Sequence, residues 1–229
     1  LQWLGLDWDE GPFLQTPRAD RYQEVFTSLL KADLIYPCTC SRKDVESAAS
    51  APHPGDEGPV YPGTCRGRWK DPEAAAAEIG VEPCWRFKVD SDLVVEWQDR
   101  FAGPRRVEVA RELGDFVVWK REGGPSYQLA VVVDDADQGV DEVLRGDDLL
   151  PSTARQVLLW EFLGPSVPSF AHVPLVVGKD GRRLAKRHGD TTLALLREKG
   201  ISSEEVIGLL ASWSGLVEVP GPLRPGDLL

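Results

Sequence analysis

The stretch Gly178 to Asp190, GKDGRRLAKRHGD, gathers Arg182, Arg183, Lys186 and Arg187 beside Gly178 and Gly181, directly after the apolar run AHVPLVVG. Cations on a glycine-loosened backbone at the carboxyl end of a strand suit transient stabilisation of phosphate charge. The same composition also fits a solvated hairpin. A second set lies in YQLAVVVDDADQGVDEVLRGDDLLPSTARQ, residues 127–156. Tyr127 opens an apolar segment and Arg145 ends a strand, where its guanidinium can receive a ligand carboxylate or act as the structural partner of Asp134, Asp135, Asp147 or Asp148. A third set is Cys38-Thr-Cys40 followed by Tyr61 and Cys65. Two cysteines two apart lie on one side of an extended segment, and a third brings the thiolates to one short of the roughly four ligands of a closed zinc site. Cys84, His53 or Tyr61 can complete it, and free buried thiols fit the spacing as well.

The elements that must hold these residues are readable in outline. Thr16-Pro17 reads as an N-cap and first helical position ahead of a stripe at Tyr22, Val25, Phe26, Leu29 and Leu30, ending near Asp33. Ser41 and Asp44 form a capping box for a short helix. The run SAPHPGDEGPVYPG, residues 50–63, is loop, and Asp71-Pro72 starts an alanine-rich helix. Alternation at Trp85, Phe87 and Val89, then LVVEW and DFVVWK, predicts antiparallel strands. Leu129 to Val133 is fully apolar, VDEVLRG reads as a strand ending at Gly146, and Ser152 or Thr153 caps a helix closing at Gly164. With AHVPLVVG as a further buried strand, strands alternating with helices imply a parallel α/β core. Two helices close the chain, about Thr192 to Lys199 and Ser203 to Ser212, with Ser202 and Glu205 spaced as a capping box. LQWLGLDW at the start reads as the end of an apolar helix.

A chain of 229 residues, 42% hydrophobic, can bury a sizeable core. Its net charge of −11 excludes nucleic-acid binding through bulk positive charge. An RNA partner must be met by local patches such as Arg66/Arg68/Lys70, Arg105/Arg106, Lys120/Arg121 and Lys179 to His188. No apolar run is long enough to span a bilayer, no signal peptide is visible, and the four cysteines fit metal or free thiols in the cytoplasm, which is the expected location.

FAHVPLVVGKDGRRLAKRHGD resembles the region around the KMSKS signature of class I aminoacyl-tRNA synthetases, specifically the glutamyl group. The resemblance implies that Lys186 contacts ATP and stabilises the departing pyrophosphate, with Arg183 at the first lysine of the signature and Ala185 at its serine. The block 127–156 resembles the glutamate-binding part of the same enzymes, implying that Tyr127 and Arg145 hold the amino acid with Asp147, Thr153 and Gln156 nearby. A CxC pair completed by Tyr-x-x-x-Cys resembles the zinc site of the glutamyl-Q tRNA(Asp) synthetases, a shortened branch of the group, implying the ligands Cys38, Cys40, Tyr61 and Cys65 around a structural zinc. VEWQDRFAGPRRVEVARELGDFVVWKREGGPSYQLAVVVDD is similar to the same branch, including Gln128.

What the resemblance implies is an α/β, Rossmann-like class I catalytic core, N-terminally incomplete, with a zinc-containing α+β insertion and a short C-terminal helical part. The expected division is residues 1–37 and 126–190 for the core, 38–125 for the insertion and 191–229 for the helical part. The implied chemistry is activation of glutamate with ATP and Mg, then transfer to the queuosine base of tRNA(Asp), by a monomer without membrane attachment. The alternatives are the catalytic region of an ordinary glutamyl-tRNA synthetase and a non-catalytic zinc- and RNA-binding module. The family's HIGH signature has no match here, residue 1 is Leu and methionine is absent. The chain is therefore expected to start after that signature, and these 229 residues alone to be inactive in glutamate-dependent ATP/pyrophosphate exchange.

Overall fold

The computed structural model describes residues 1–48, 59–69, 71–178 and 192–228. It forms two compact units, one of Leu14–Pro174 and one of Leu1–Phe13 with Leu175–Leu229.

In the larger unit, helix α1 (Ala19–Lys31) buries Tyr22, Val25, Phe26 and Leu29 on one face. Thr16 does not cap it. Thr16–Arg18 make a 3-10 turn without a side-chain cap bond, and Asp33 ends the turn that follows the helix at a φ of 56°. Strand β1 (Ile35–Cys38) follows, then α2 (Arg42–Ala48) with both halves of the Ser41/Asp44 box present. Asp71 caps α3 (Pro72–Ile79) by accepting from the Ala74 amide at 2.7 Å. Strands β2 (Cys84–Phe87) and β5 (Phe116–Trp119) join β1 in an antiparallel sheet of order β1-β2-β5. Between them come the hairpin of β3 (Val94–Asp99) and β4 (Gly103–Glu108), and a one-turn helix α4 (Val109–Glu112).

Helix α5 (Tyr127–Gln138) contains the apolar run, because Ser126 accepts from the Leu129 amide and Gly139 closes the end in the left-handed conformation. Strand β6 (Glu142–Gly146) ends at Gly146 as expected. Helix α6 (Leu150–Leu163) starts earlier than its candidate caps: the 3-10 turn Asp147–Leu149 and a first-turn proline open it, so Ser152 and Thr153 are buried residues of the helix, not its N-cap. Strand β7 (Ser169–Val173) covers only the start of the AHVPLVVG run.

The second sheet runs β4-β3-β7-β6. Parallel pairing extends from Glu142 opposite Ser169 to Gly146 opposite Val173, and one further parallel pair sets Asp99 opposite Phe170. The strand β3 of segment 38–125 thus hydrogen-bonds the strand β7 of segment 126–190. One core joins α1, β2, β5, α5 and α6 through Leu29, Phe87, Val118, Leu129, Val133 and Leu159.

In the smaller unit, α7 (Leu193–Glu198) is capped by Thr192, and α8 (Ser203–Trp213) carries the Ser202/Glu205 capping box in full. Residues Gln2–Leu4 form a 3-10 turn closed by left-handed Gly5, where an α-helix end was expected. Among the described residues no helix is long and apolar enough to cross a membrane.

Candidate functional site

The sheet β4-β3-β7-β6 places three polar side chains in a row. Arg145 on β6 is in register with His172 on β7, and Asp99 ends β3 opposite Phe170, two residues before His172 on the same face of β7. Asp99 and His172 have fully buried side chains, 2.5 Å apart between Oδ2 and Nδ1. Asp99 Oδ1 also accepts from the amides of Phe101 (3.1 Å), Ala102 (2.8 Å) and His172 (3.0 Å). Burial opposes its charge, but these hydrogen bonds, led by His172, hold the carboxyl far below the ordinary range.

Arg145 Nε donates to His172 Nε2 at 3.0 Å, and Nη2 donates to Thr153 Oγ1 at 2.9 Å. Its guanidinium also lies 5.4 Å from the centre of the Phe170 ring. Burial lowers the Arg145 pKa, opposed by Tyr127, which also hydrogen-bonds it, and by Asp135. Tyr127, at the first position of α5, is 53% exposed and therefore open to a ligand. Behind it, Gln156 Nε2 donates to Gln128 Oε1 at 2.9 Å, and Gln128 Nε2 to Ser152 Oγ at 2.8 Å. Asp134, one carboxylate weighed as a partner for Arg145, instead accepts from Tyr22 (2.7 Å), Arg18 (2.7 Å) and Gln15 (2.8 Å).

The structure thus brings Tyr127, Arg145 and Thr153 together, with Gln156 behind. Lys186 and Arg183 lie outside the described residues, as does His53. Asp99 and His172 were not singled out as parts of this site. For His172 the available signal was an imidazole inside the apolar stretch FAHV, whereas Asp99 closes LVVEWQD, where Glu96 and Gln98 are polar as well.

The thiol set converges as well. The sulfurs of Cys38, Cys40 and Cys65 all lie within 4.8 Å of one another, with Cys40 and Cys65 at 3.6 Å. Tetrahedral zinc with Zn–S of about 2.3 Å spaces its sulfurs by roughly 3.8 Å. Tyr61 Oη sits 3.4 Å from Cys38 Sγ and 3.7 Å from Cys40 Sγ, and accepts from the Cys65 amide at 2.8 Å. Arg86 stacks 3.7 Å from the Tyr61 ring centre and donates to Cys38 Sγ at 3.3 Å. The Cys84 thiol, then Tyr61 and Arg86, hold Cys38 down at about 4 against burial, while burial and its sulfur neighbours push Cys40 up to about 12. One thiolate is thus favoured and the next suppressed, a crowding of negative charge that a bound cation relieves. Cys84 donates to the Cys38 carbonyl at 3.3 Å and packs in the same small core, outside the three-sulfur group.

Several cations expected to offer RNA patches are engaged within the protein. Arg66 meets Asp115 and Asp90, Arg68 meets Glu78, Arg106 meets Glu96 and Glu108, and Arg121 donates to the Thr39 carbonyl at 2.8 Å.

A family profile described as tRNA synthetases class I (E and Q), catalytic domain, matches residues 1–214. The glutamyl-Q tRNA(Asp) synthetase of Symbiobacterium thermophilum is 48% identical over 238 aligned residues, covering 100% of this chain and 73% of that protein. Glutamate--tRNA ligase 1 of Alkalilimnicola ehrlichii is 43% identical, covering 93% of this chain and 45% of that protein. A crystal structure of a glutamate tRNA ligase from Elizabethkingia meningosepticum, in complex with its amino acid, is similar with a TM-score of 0.71 at 27% identity, covering 92% of this chain and 48% of that one. The chain therefore belongs to the class I tRNA synthetases for glutamate and glutamine, as part of their catalytic domain.

Proposed function

We infer that this chain carries the amino-acid and pyrophosphate side of a site that activates glutamate with ATP and Mg, and that the glutamyl group then passes to the queuosine base of tRNA(Asp). The observation that carries the reading is the Arg145 guanidinium, fixed by the neutral acceptors His172 and Thr153 beside exposed Tyr127. A cation held by neutral groups keeps its charge for a ligand, and a carboxylate is the ligand its fork geometry matches. Arg145 and Tyr127 bind and orient glutamate in this reading. Lys186, with Arg183, draws charge from the departing pyrophosphate.

Cys38, Cys40, Cys65 and Tyr61 fit a zinc ion in number, spacing and donor chemistry. The ion would be structural, tying β1 to the segment at Tyr61–Cys65. The choice of queuosine rests on the 48% identity to a protein of that name, and 3′ glutamylation is the competing outcome favoured by the ligase relatives.

Glutamate-dependent ATP/pyrophosphate exchange by the complete gene product tests the reading. Arg145→Ala is expected to raise the glutamate KM roughly 100-fold, as loss of a charge-assisted pair does, and Lys186→Ala to lower kcat with the glutamate KM little changed. Exchange indifferent to glutamate, or to Arg145, overturns it.

A further inference from the structure

We propose that Asp99 and His172 are positioning residues that aim Arg145, acting through the tautomer of one imidazole. The proposal rests on the reading of Arg145 as the glutamate-carboxylate ligand. Arginine has N–H donors and no acceptor, so the 3.0 Å contact from Arg145 Nε requires His172 Nε2 to be the unprotonated nitrogen. The ring proton then belongs on Nδ1, where the Asp99 carboxylate accepts it at 2.5 Å. Three backbone amides on the other oxygen fix that carboxylate in place. Thr153, also touching His172 Nε2 at 3.1 Å, takes Arg145 Nη2, so the Nε–Nη2 edge of the guanidinium is held by protein. Tyr127, which also hydrogen-bonds Arg145, is exposed on the side that can meet a ligand.

The three side chains come from three adjacent strands, Arg145 directly opposite His172 and Asp99 opposite Phe170 two residues earlier, which makes the arrangement a property of the sheet rather than of a loop. The full burial of Asp99 and His172 argues against mere surface pairing. A buried histidine that served packing alone needs one partner, whereas this one is bonded at both nitrogens, and the second bond ends on the site arginine.

Asp99→Asn separates the roles. The amide can offer its NH2 to Nδ1, which moves the ring proton to Nε2 and points a donor at Arg145. His172→Gln supplies an amide oxygen near the place of Nε2 without depending on Asp99. Expected in the exchange assay of the complete gene product is a rise of about tenfold or more in glutamate KM for Asp99→Asn, with the ATP KM unchanged. In the His172→Gln background the added Asp99→Asn change should alter glutamate KM less than twofold. Nitrogen-15 NMR of the three histidines reads the tautomer directly, with Nδ1–H expected for His172 and Nε2–H after Asp99→Asn. Equal effects of Asp99→Asn in both backgrounds, or an Nε2–H tautomer in the unaltered protein, overturn the proposal. If Arg145→Ala leaves glutamate KM unchanged, the glutamate reading itself falls. If it raises KM while Asp99→Asn does nothing, only the positioning role falls.

Discussion

Asp135 shows how single residues record the demands of the site. It lies half-buried on α5 within the field of Arg145, and burial together with Asp134 pushes its pKa up to about 6. Between the ordinary carboxyl value near 4 and about 6, the folded state binds more protons than the unfolded one, so this residue makes stability fall as pH rises through that window. The cost is fully present above pH 6. Asp135→Asn is therefore expected to raise the thermal midpoint at pH 7.5 by the equivalent of about 1 kcal/mol, a figure reduced for solvent screening, with the two proteins converging near pH 4. A midpoint difference that grows on acidification contradicts this. At this scale the sequence was legible where a residue type is rare for its setting. Two cysteines two apart and an arginine at a strand end announced themselves, and the structure brings Cys38, Cys40, Cys65 and Tyr61 together, the set that the family resemblance implies and the spacing alone leaves open. Asp99 was not legible, because its function depends on a parallel partner some seventy positions away, and its own strand reads as any half-buried strand.

Elements explain how residues distant in sequence reach these positions. Tyr61 is set by a parallel bridge to Gly114, which has a φ of 64°, and a Cβ at Gly114 would lie 2.8 Å from Val60 Cγ1 and 2.9 Å from the Tyr61 carbonyl oxygen. Only glycine fits that left-handed, close approach. Gly114→Ala, though it removes no ligand, is expected to weaken metal retention roughly tenfold, as supporting groups around metal sites do. Cys65→Ser should release the metal outright. Metal analysis after dialysis against a weak chelator measures both, and a Gly114→Ala protein with full metal content refutes the role given to this bridge. Helix and strand existence was largely legible from caps and periodicity: the boxes at Ser41 and Ser202 and the stop at Gly164 are where their residue types place them. The start of α6 was not. Ser152 and Thr153 look like caps, but Pro151 and the preceding 3-10 turn start the helix earlier, and both side chains turn inward to Gln128 and Arg145. A local signal was outweighed by the needs of a buried polar site.

At the scale of the molecule, the acidic balance and the ion pairing of surface cations among the described residues fit together. With Arg66, Arg68 and Arg106 in ion pairs, a net charge of −11 leaves little to attract nucleic acid indiscriminately. Recognition of one tRNA then depends on shape and a few contacts rather than on charge alone. Family membership follows from a match across residues 1–214, but the acceptor is written in no single residue. The decisive measurement is transfer of labelled glutamate by the complete gene product to tRNA(Asp) with and without queuosine, and to tRNA(Glu). The expected result is label only on the queuosine-bearing tRNA(Asp), retained after the 3′-terminal adenosine is removed, and strongly reduced with Arg145→Ala at glutamate concentrations near the KM of the unaltered protein. Label on the 3′ end of tRNA(Glu), or none on any tRNA while glutamate is activated, contradicts it.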